Sequence, residues 1–205
     1  MFQYADAAIR DMNRRNLKSF ARLRQLKFDE LNILNAVESV YDKAVRVAKK
    51  KYLLIARMAF IDAMIAAGKS EKEAEKAADE SITEDYIIEM LDEYDPVTLY
   101  QFEPEIERKK QRLVEALIAS HKKTEEISKA LRYLTLQLSQ YADKAELEAA
   151  LDGYREAGVK RVRWITQEDE KVCKTCSPRD GKVYDIDNVP PRPHYRCRCE
   201  LLPVI

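Results

Sequence analysis

DELNILNAVESVYDKAVRVAKKKYLLIARMAFIDAMIAA, residues 29–67, decides the fold. The stretch holds no glycine and no proline, the two residues that break helices most strongly. Leu34, Val37, Tyr41, Ala44, Ala48, Lys51, Ile55, Met58, Asp62 and Ile65 follow one another in steps of three and four, and eight of these ten are apolar. That spacing predicts one helix from about Asp29 to Ala67, with Gly68 placed to end it. A helix of this length exceeds the usual globular range. It implies a coiled-coil-like hairpin or a bundle of long helices.

Working outward, Leu17, Phe20, Leu23 and Leu26 mark an N-terminal helix. Ser70 with Glu73 has the spacing of a capping box for a short acidic helix. Thr83 caps another, through about Glu93, and Asp95-Pro96 breaks the chain. From Pro104 a helix runs past His121 toward Tyr141. Asp143 is placed to cap a last one, Lys144 to Ala157, stopped by Gly158. The stretch 1–150 contains one glycine and two prolines, whereas the stretch 151–205 contains three glycines and five prolines. The chain therefore divides into a helical region, 1–150, and a small module, 151–205. In the module Val159-Lys160-Arg161-Val162-Arg163-Trp164-Ile165 alternates as a strand does. Asp180-Gly181 signals a turn before a short strand at Lys182-Val183-Tyr184. Cys197 to Leu202 is a candidate third strand. The expected fold is mainly α, with an extended helical N-terminal part and a small C-terminal α+β module stapled by zinc.

The chain has 36 basic and 36 acidic residues, a net charge of zero that hides a strong dipole. Residues 1–60 carry 13 basic and 6 acidic side chains, and residues 61–107 carry 3 basic and 15 acidic ones. Two readings follow. The segments pack against each other within one chain, or they meet a neighbouring copy or another partner. No apolar run reaches the ~18 residues of a membrane span. The start of the chain lacks the basic-then-apolar pattern of a secretory signal. Four glycines and two histidines supply neither a phosphate-cradling loop nor a Ser-His-Asp set, so no catalytic residue is expected. His121 reads as a surface residue.

All four cysteines lie in the C-terminal module, as Cys173-x2-Cys176 and, further along, His194-x2-Cys197-x-Cys199. Zinc takes four sulfur or imidazole ligands in a tetrahedron. A Cys-x2-Cys knuckle supplies two, and a distant pair closes the site. The module also needs such a staple, because so short a segment buries too little apolar surface to fold alone. Cys173 and Cys176 are the firmest ligands, and His194, Cys197 and Cys199 share the remaining places. Cys197 and Cys199, two apart on a strand, would face the same way. The alternative is two disulfides or reduced thiols. Four protein ligands leave no open position, so the expected role of the zinc is structural.

Several strings in this module form a recognisable set: Glu156-Ala157-Gly158-Val159, Arg161-Val162-Arg163-Trp164, Thr166 with Asp169-Glu170, Cys173-Lys174-Thr175-Cys176, Asp180-Gly181-Lys182-Val183-Tyr184, Pro190-Pro191 and His194-Tyr195-Arg196-Cys197-Arg198-Cys199. Together, over Tyr154 to Pro203, they resemble the C-terminal domain of the phage Mu F-like family, the minor head or head morphogenesis proteins of tailed phages and prophages. Two departures are visible. Gln167-Glu168 makes the Thr166–Asp169 spacing one residue longer, and Tyr195 stands where the family tends to have proline. The resemblance implies a structural protein of the phage head, assembled in the bacterial cytoplasm and present in few copies. It would associate with the portal, the major capsid protein or the inner procapsid face, and travel with the DNA. The long helices suit docking on a large assembly and self-association.

Two rival functions remain. One is a nucleic-acid-binding zinc module, in which Arg161, Arg163, Arg179, Arg192, Arg196 and Arg198, with Trp164, Tyr184 and Tyr195, would contact phosphates and bases. The module 151–205 nets only +2, which is a small footprint for that role. The other is an effector enzyme carried in the head, for which no nucleophile or acid–base pair is evident.

Overall fold

Small and aromatic residues share the buried face of the longest helix, and the small ones let a second long helix come close. The computed structural model describes residues 3–25, 30–93, 100–120, 122–167, 172–193 and 197–205. Six helices appear in them: α1 (Gln3–Leu23), α2 (Glu30–Ala66), α3 (Glu71–Ser81), α4 (Glu84–Asp92), α5 (Phe102–Ala119) and α6 (Lys123–Glu156). Three strands follow: β1 (Arg161–Ile165), β2 (Val183–Asp185) and β3 (Glu200–Val204). The fold is mainly helical, with a small C-terminal sheet. Among the described residues no helix is long and apolar enough to cross a membrane.

α2 and α6 form the central pair and run in the same direction. The Tyr52 hydroxyl of α2 donates to the Leu138 carbonyl at 2.7 Å, and further along the Phe60 backbone lies against Gly153. α1 runs antiparallel to both. Phe20 stacks on Tyr41 with ring centroids 5.9 Å apart, and the Tyr4 hydroxyl donates to Asp62 at 2.7 Å. On the other side α1 meets α6 where the Ala5 amide donates to Glu146 at 3.1 Å. α5 is also antiparallel to the pair. Lys49 of α2 pairs with Glu103, and Phe102 meets Tyr141 edge-on at 4.8 Å. α3 and α4 cover the end of α2, where Arg57 pairs with Asp79. Part of the charge dipole is thus satisfied inside the chain.

The structure corrects the expected stripe on α2. Val37, Tyr41, Ala44, Ala48 and Ile55 are buried, but Leu34, Met58 and Ile65 are 41%, 44% and 43% exposed. A strict seven-residue repeat drifts about 20° per heptad around a straight 3.6-residue helix. The face that stays inward shifts to Tyr52, Ala56, Ala59, Phe60, Ala63 and Met64. Lys51 leaves the seam to pair with Asp11 at 3.2 Å. On α1, Phe20 and Leu23 are buried while Leu17 is exposed. Leu26, Asp29, Asp95, Pro96 and His121 lie outside the described residues.

The punctuation mostly holds. Ser70 and Glu73 form a full capping box on α3, and the Thr83 side chain caps α4. Gly68 and Gly158 take positive φ, 92° and 86°. At Gly158 the amide bonds Arg155 O and the Val159 amide bonds Tyr154 O, a Schellman stop. Asp143 is the exception. It caps nothing, because α6 runs through it unbroken from Lys123. α5 stops at Ala119 and does not continue past His121.

Beyond Gly158 the sheet is antiparallel in the order β2-β1-β3, with Val162 opposite Tyr184 and Pro203, and Trp164 opposite Leu201. Val162 and Trp164 point inward and Arg161 and Arg163 outward, as the alternation predicts. The third strand begins later than expected, at Glu200, so both Cys197 and Cys199 precede it. The sheet is fixed to the end of α6 by the Tyr154 hydroxyl, which donates to Leu201 O at 3.0 Å, and by Arg155 with Asp187 at 3.0 Å.

Candidate metal centre

The Asp180-Gly181 turn sets the site's first half. Trp164 N–H donates to Lys182 O, and Gly181 N–H donates to Trp164 O, both at 2.8 Å. Thr166 N–H donates to the Asp180 carboxylate at 2.7 Å, which holds that acid below the usual carboxylate range. Just before this turn the chain makes a knuckle. Cys173 O accepts the amides of Cys176 and Ser177, each at 3.0 Å, and the Cys173 sulfur accepts the Cys176 amide at 3.2 Å. Amides aimed at a sulfur favour its ionised form, the form that binds metals. Pro178 lies in the 3₁₀ turn Ser177–Arg179 that follows the knuckle.

The second half comes from the segment entering β3. Cys176, Cys197 and Cys199 are all buried, and their sulfurs lie within 4.8 Å of one another. Cys176 Sγ and Cys197 Sγ are 3.5 Å apart. No disulfide joins any of the four cysteines. A 3.5 Å separation is far beyond the ~2.05 Å of a sulfur–sulfur bond. It is close to the edge of a tetrahedron of thiolates on zinc, about 3.8 Å for ~2.3 Å zinc–sulfur bonds. Burial pushes the Cys176 thiol well above its ordinary range, aided by the neighbouring sulfurs, and raises Cys199 as well. Three sulfurs so placed are poor thiolates by themselves and good ones around a divalent cation. This donor set therefore fits a metal ion. Cys173, half-buried at the base of the knuckle, stands beside the trio. His194 lies outside the described residues.

Two buried side chains frame the sulfurs. Trp164 is 1% exposed, and its indole N–H meets no conventional acceptor; it favours the Cys199 thiolate against the effect of burial. Arg192 is 7% exposed, and its Nη1 donates to Asp143 O at 3.5 Å. Desolvation lowers its pKa, while Asp143, Cys197, Glu146 and Cys199 work to keep it charged. Asp143, read from sequence as a helix cap, is thus the α6 residue that receives this arginine.

Residues 104–202 match the family model described as Phage Mu protein F like protein. This segment is Mu F-like. No curated protein and no solved structure matches the chain. The Mu F-like segment begins at Pro104, well before the strings that carry the resemblance, and so takes in α5 and α6 with the sheet. Its sulfur cluster is built against α6 through Arg192 and Asp143.

The same geometry redistributes the residues considered for nucleic acid. Trp164 is buried and cannot stack on a base. Arg179 lies over its ring, 5.0 Å from the centroid. Arg192 faces inward, leaving Arg161, Arg163 and Arg198 exposed in the Mu F-like module. Tyr195, Arg196 and the acids Glu168, Asp169 and Glu170 lie outside the described residues. Sequence reasoning missed the roles of Trp164 and Arg192 at the cluster. The inward phase of Trp164 on β1 was the available signal for one, and nothing local signalled the other.

Proposed function

We propose that this chain is a head morphogenesis protein of a tailed phage or prophage, a minor capsid component with a structural role at the portal or the inner procapsid face. The observation that carries the reading is the Mu F-like match over residues 104–202. The architecture supports it: long helices present extended side faces, and a cross-linked tip stays folded during assembly. In this reading the protein is not an enzyme, and it resides in the virion after assembly in the host cytoplasm. Zinc is the metal proposed for the cluster, held by Cys173, Cys176, Cys197 and Cys199, with His194 as the competing fourth ligand. Bound there, zinc would supply a structural cross-link between the knuckle and the segment entering β3.

Two measurements test this. Mass spectrometry of purified heads should find the chain at a few copies per particle, and purified chain should co-sediment with the portal protein. Heads that form in normal number without the protein, and lack it in the wild type, would refute the assembly role. Metal analysis of chain purified without chelator should give one zinc per molecule. A stoichiometry near zero, with thiols freely titratable in the folded state, would remove the zinc.

A further inference from the structure

The outward face of α2 carries a repeat that packing within the chain does not use. Leu54, Met58, Ile61 and Ile65 follow one another at steps of four, three and four, and Val47 continues the series one heptad earlier. Leu54 is 55% exposed, Met58 44% and Ile65 43%, while Val47 and Ile61 are half-buried. The intramolecular face of this helix drifts at the 3.6-residue period described above, whereas this stripe keeps a seven-residue one. A seven-residue repeat is the pattern by which one helix follows another along a coiled-coil seam. A contiguous apolar stripe of this kind on an otherwise charged surface marks an interaction site.

Charge selects the occupant. Toward the start of α2 the stripe is flanked by exposed Lys43, Arg46 and Lys50. Just past its other end α3 opens with Glu71, Glu73 and Glu75, all exposed. We propose that this face pairs with the same face of a second copy, antiparallel and about a two-fold axis. Leu54 then packs on Ile65 of the second copy and Met58 on Ile61, each contact made twice, as an isologous interface requires. The antiparallel sense carries Arg46 and Lys50 of each copy toward the acidic start of the other copy's α3. A parallel pair would set Lys43 on Lys43 and Lys50 on Lys50, like charges at close range. The inference uses only α2 and α3, lies outside the Mu F-like segment, and does not depend on the metal or on the head assignment.

Sedimentation of the full chain across a concentration series tests it, at low and high salt. The expected result is a dimer that weakens as salt screens the flanking charges. Leu54→Glu and Met58→Glu should each weaken it by roughly 30-fold or more, the effect of a central interface residue, with helical circular dichroism unchanged. Orientation is read by cross-linking. A mixture of Leu54→Cys and Ile65→Cys chains should form a disulfide heterodimer, identified by peptide mapping, while Leu54→Cys alone should not join to itself. A monomer at every concentration overturns the proposal. So does self-joining by Leu54→Cys, which means a parallel pair, and so does a monomer whose stripe is covered only by a different phage protein.

Discussion

Replacing Gly153 by alanine turns on one close approach in the bundle. Gly153 sits inside α6, and its φ is not among the positive ones, so alanine fits the backbone there. By helix propensity alone the change should stabilise the protein by about 1 kcal/mol. A Cβ at this position, however, would lie 3.0 Å from the Ala63 Cβ and 3.1 Å from the Phe60 carbonyl carbon, and closer still to the Phe60 oxygen. These atoms belong to the backbone and a side-chain stub of α2, which cannot swing away. α2 and α6 must separate locally, an overpacking cost of about 1–3 kcal/mol or more. The net expectation is a loss of about 1–2 kcal/mol. For a chain of this size that lowers Tm by about 2–8 °C, measured by thermal melting of the far-ultraviolet helical signal. Tyr154, the next residue, holds the sheet through Leu201, so the near-ultraviolet signal of Trp164 should change too. A Tm raised by about 2–4 °C, the propensity gain left unopposed, would refute the close packing of α2 on α6.

Further expectations concern buried charge and the metal centre. Burial pushes the Glu146 carboxyl up to about 8 from 4.5, although its Oε2 accepts the Ala5 amide. A raised acid favours the folded state fully below its unfolded pKa of 4.5, and that contribution is lost as pH rises to about 8. Relative to Glu146→Gln, the wild type should therefore lose on the order of 3 kcal/mol between about pH 5 and 8 in urea titrations, and parallel curves would show that Glu146 does not titrate in this window. Cys176→Ser should unfold the sheet and leave the bundle helical, so protease should trim the chain near Gly158. Loss of most of the helical signal would instead make the two parts one cooperative unit. Arg192→Met should weaken zinc binding by about 10–100-fold, the usual effect of a residue supporting the ligands, with Arg192→Lys partly restoring it in chelator competition. Equal affinity in all three proteins would mean that the arginine only fills space.

Much of the fold was legible because its signals are local. Ser70 with Glu73, Thr83, Gly68 and Gly158 act through atoms close by in the chain, so their spacing suffices. The alternation at Val162 and Trp164 placed β1 for the same reason. Asp143 shows where locality fails: an acid before an amphipathic run reads as a cap, yet here its carbonyl receives an arginine 49 residues away. The inward face of α2 was half legible, since a heptad template and a straight helix part company within a few turns. At the cluster the residue types gave the chemistry, and Cys176, Cys197 and Cys199 do converge. Cys197 and Cys199 reach it without the strand geometry that had explained their shared direction. Arg192 was beyond reach, because an arginine between two prolines looks like surface until α6 is in place.

The contact between Ala5 and Glu146 spans 141 residues of chain. At ~5–20 residues per second of synthesis, α1 waits about 7–28 s on the ribosome before the helix it packs against exists. Meanwhile it can close on α2, because Phe20 and Tyr41 are near in sequence and both are made early. The hairpin so formed leaves Ala5, Ile9 and Met12 beside an empty slot that only α6 fills. The part of the chain made first is therefore an open mould, and the Mu F-like segment is the piece that completes it. Nascent chains stalled before α6 should be held by chaperones, and those released after it should not.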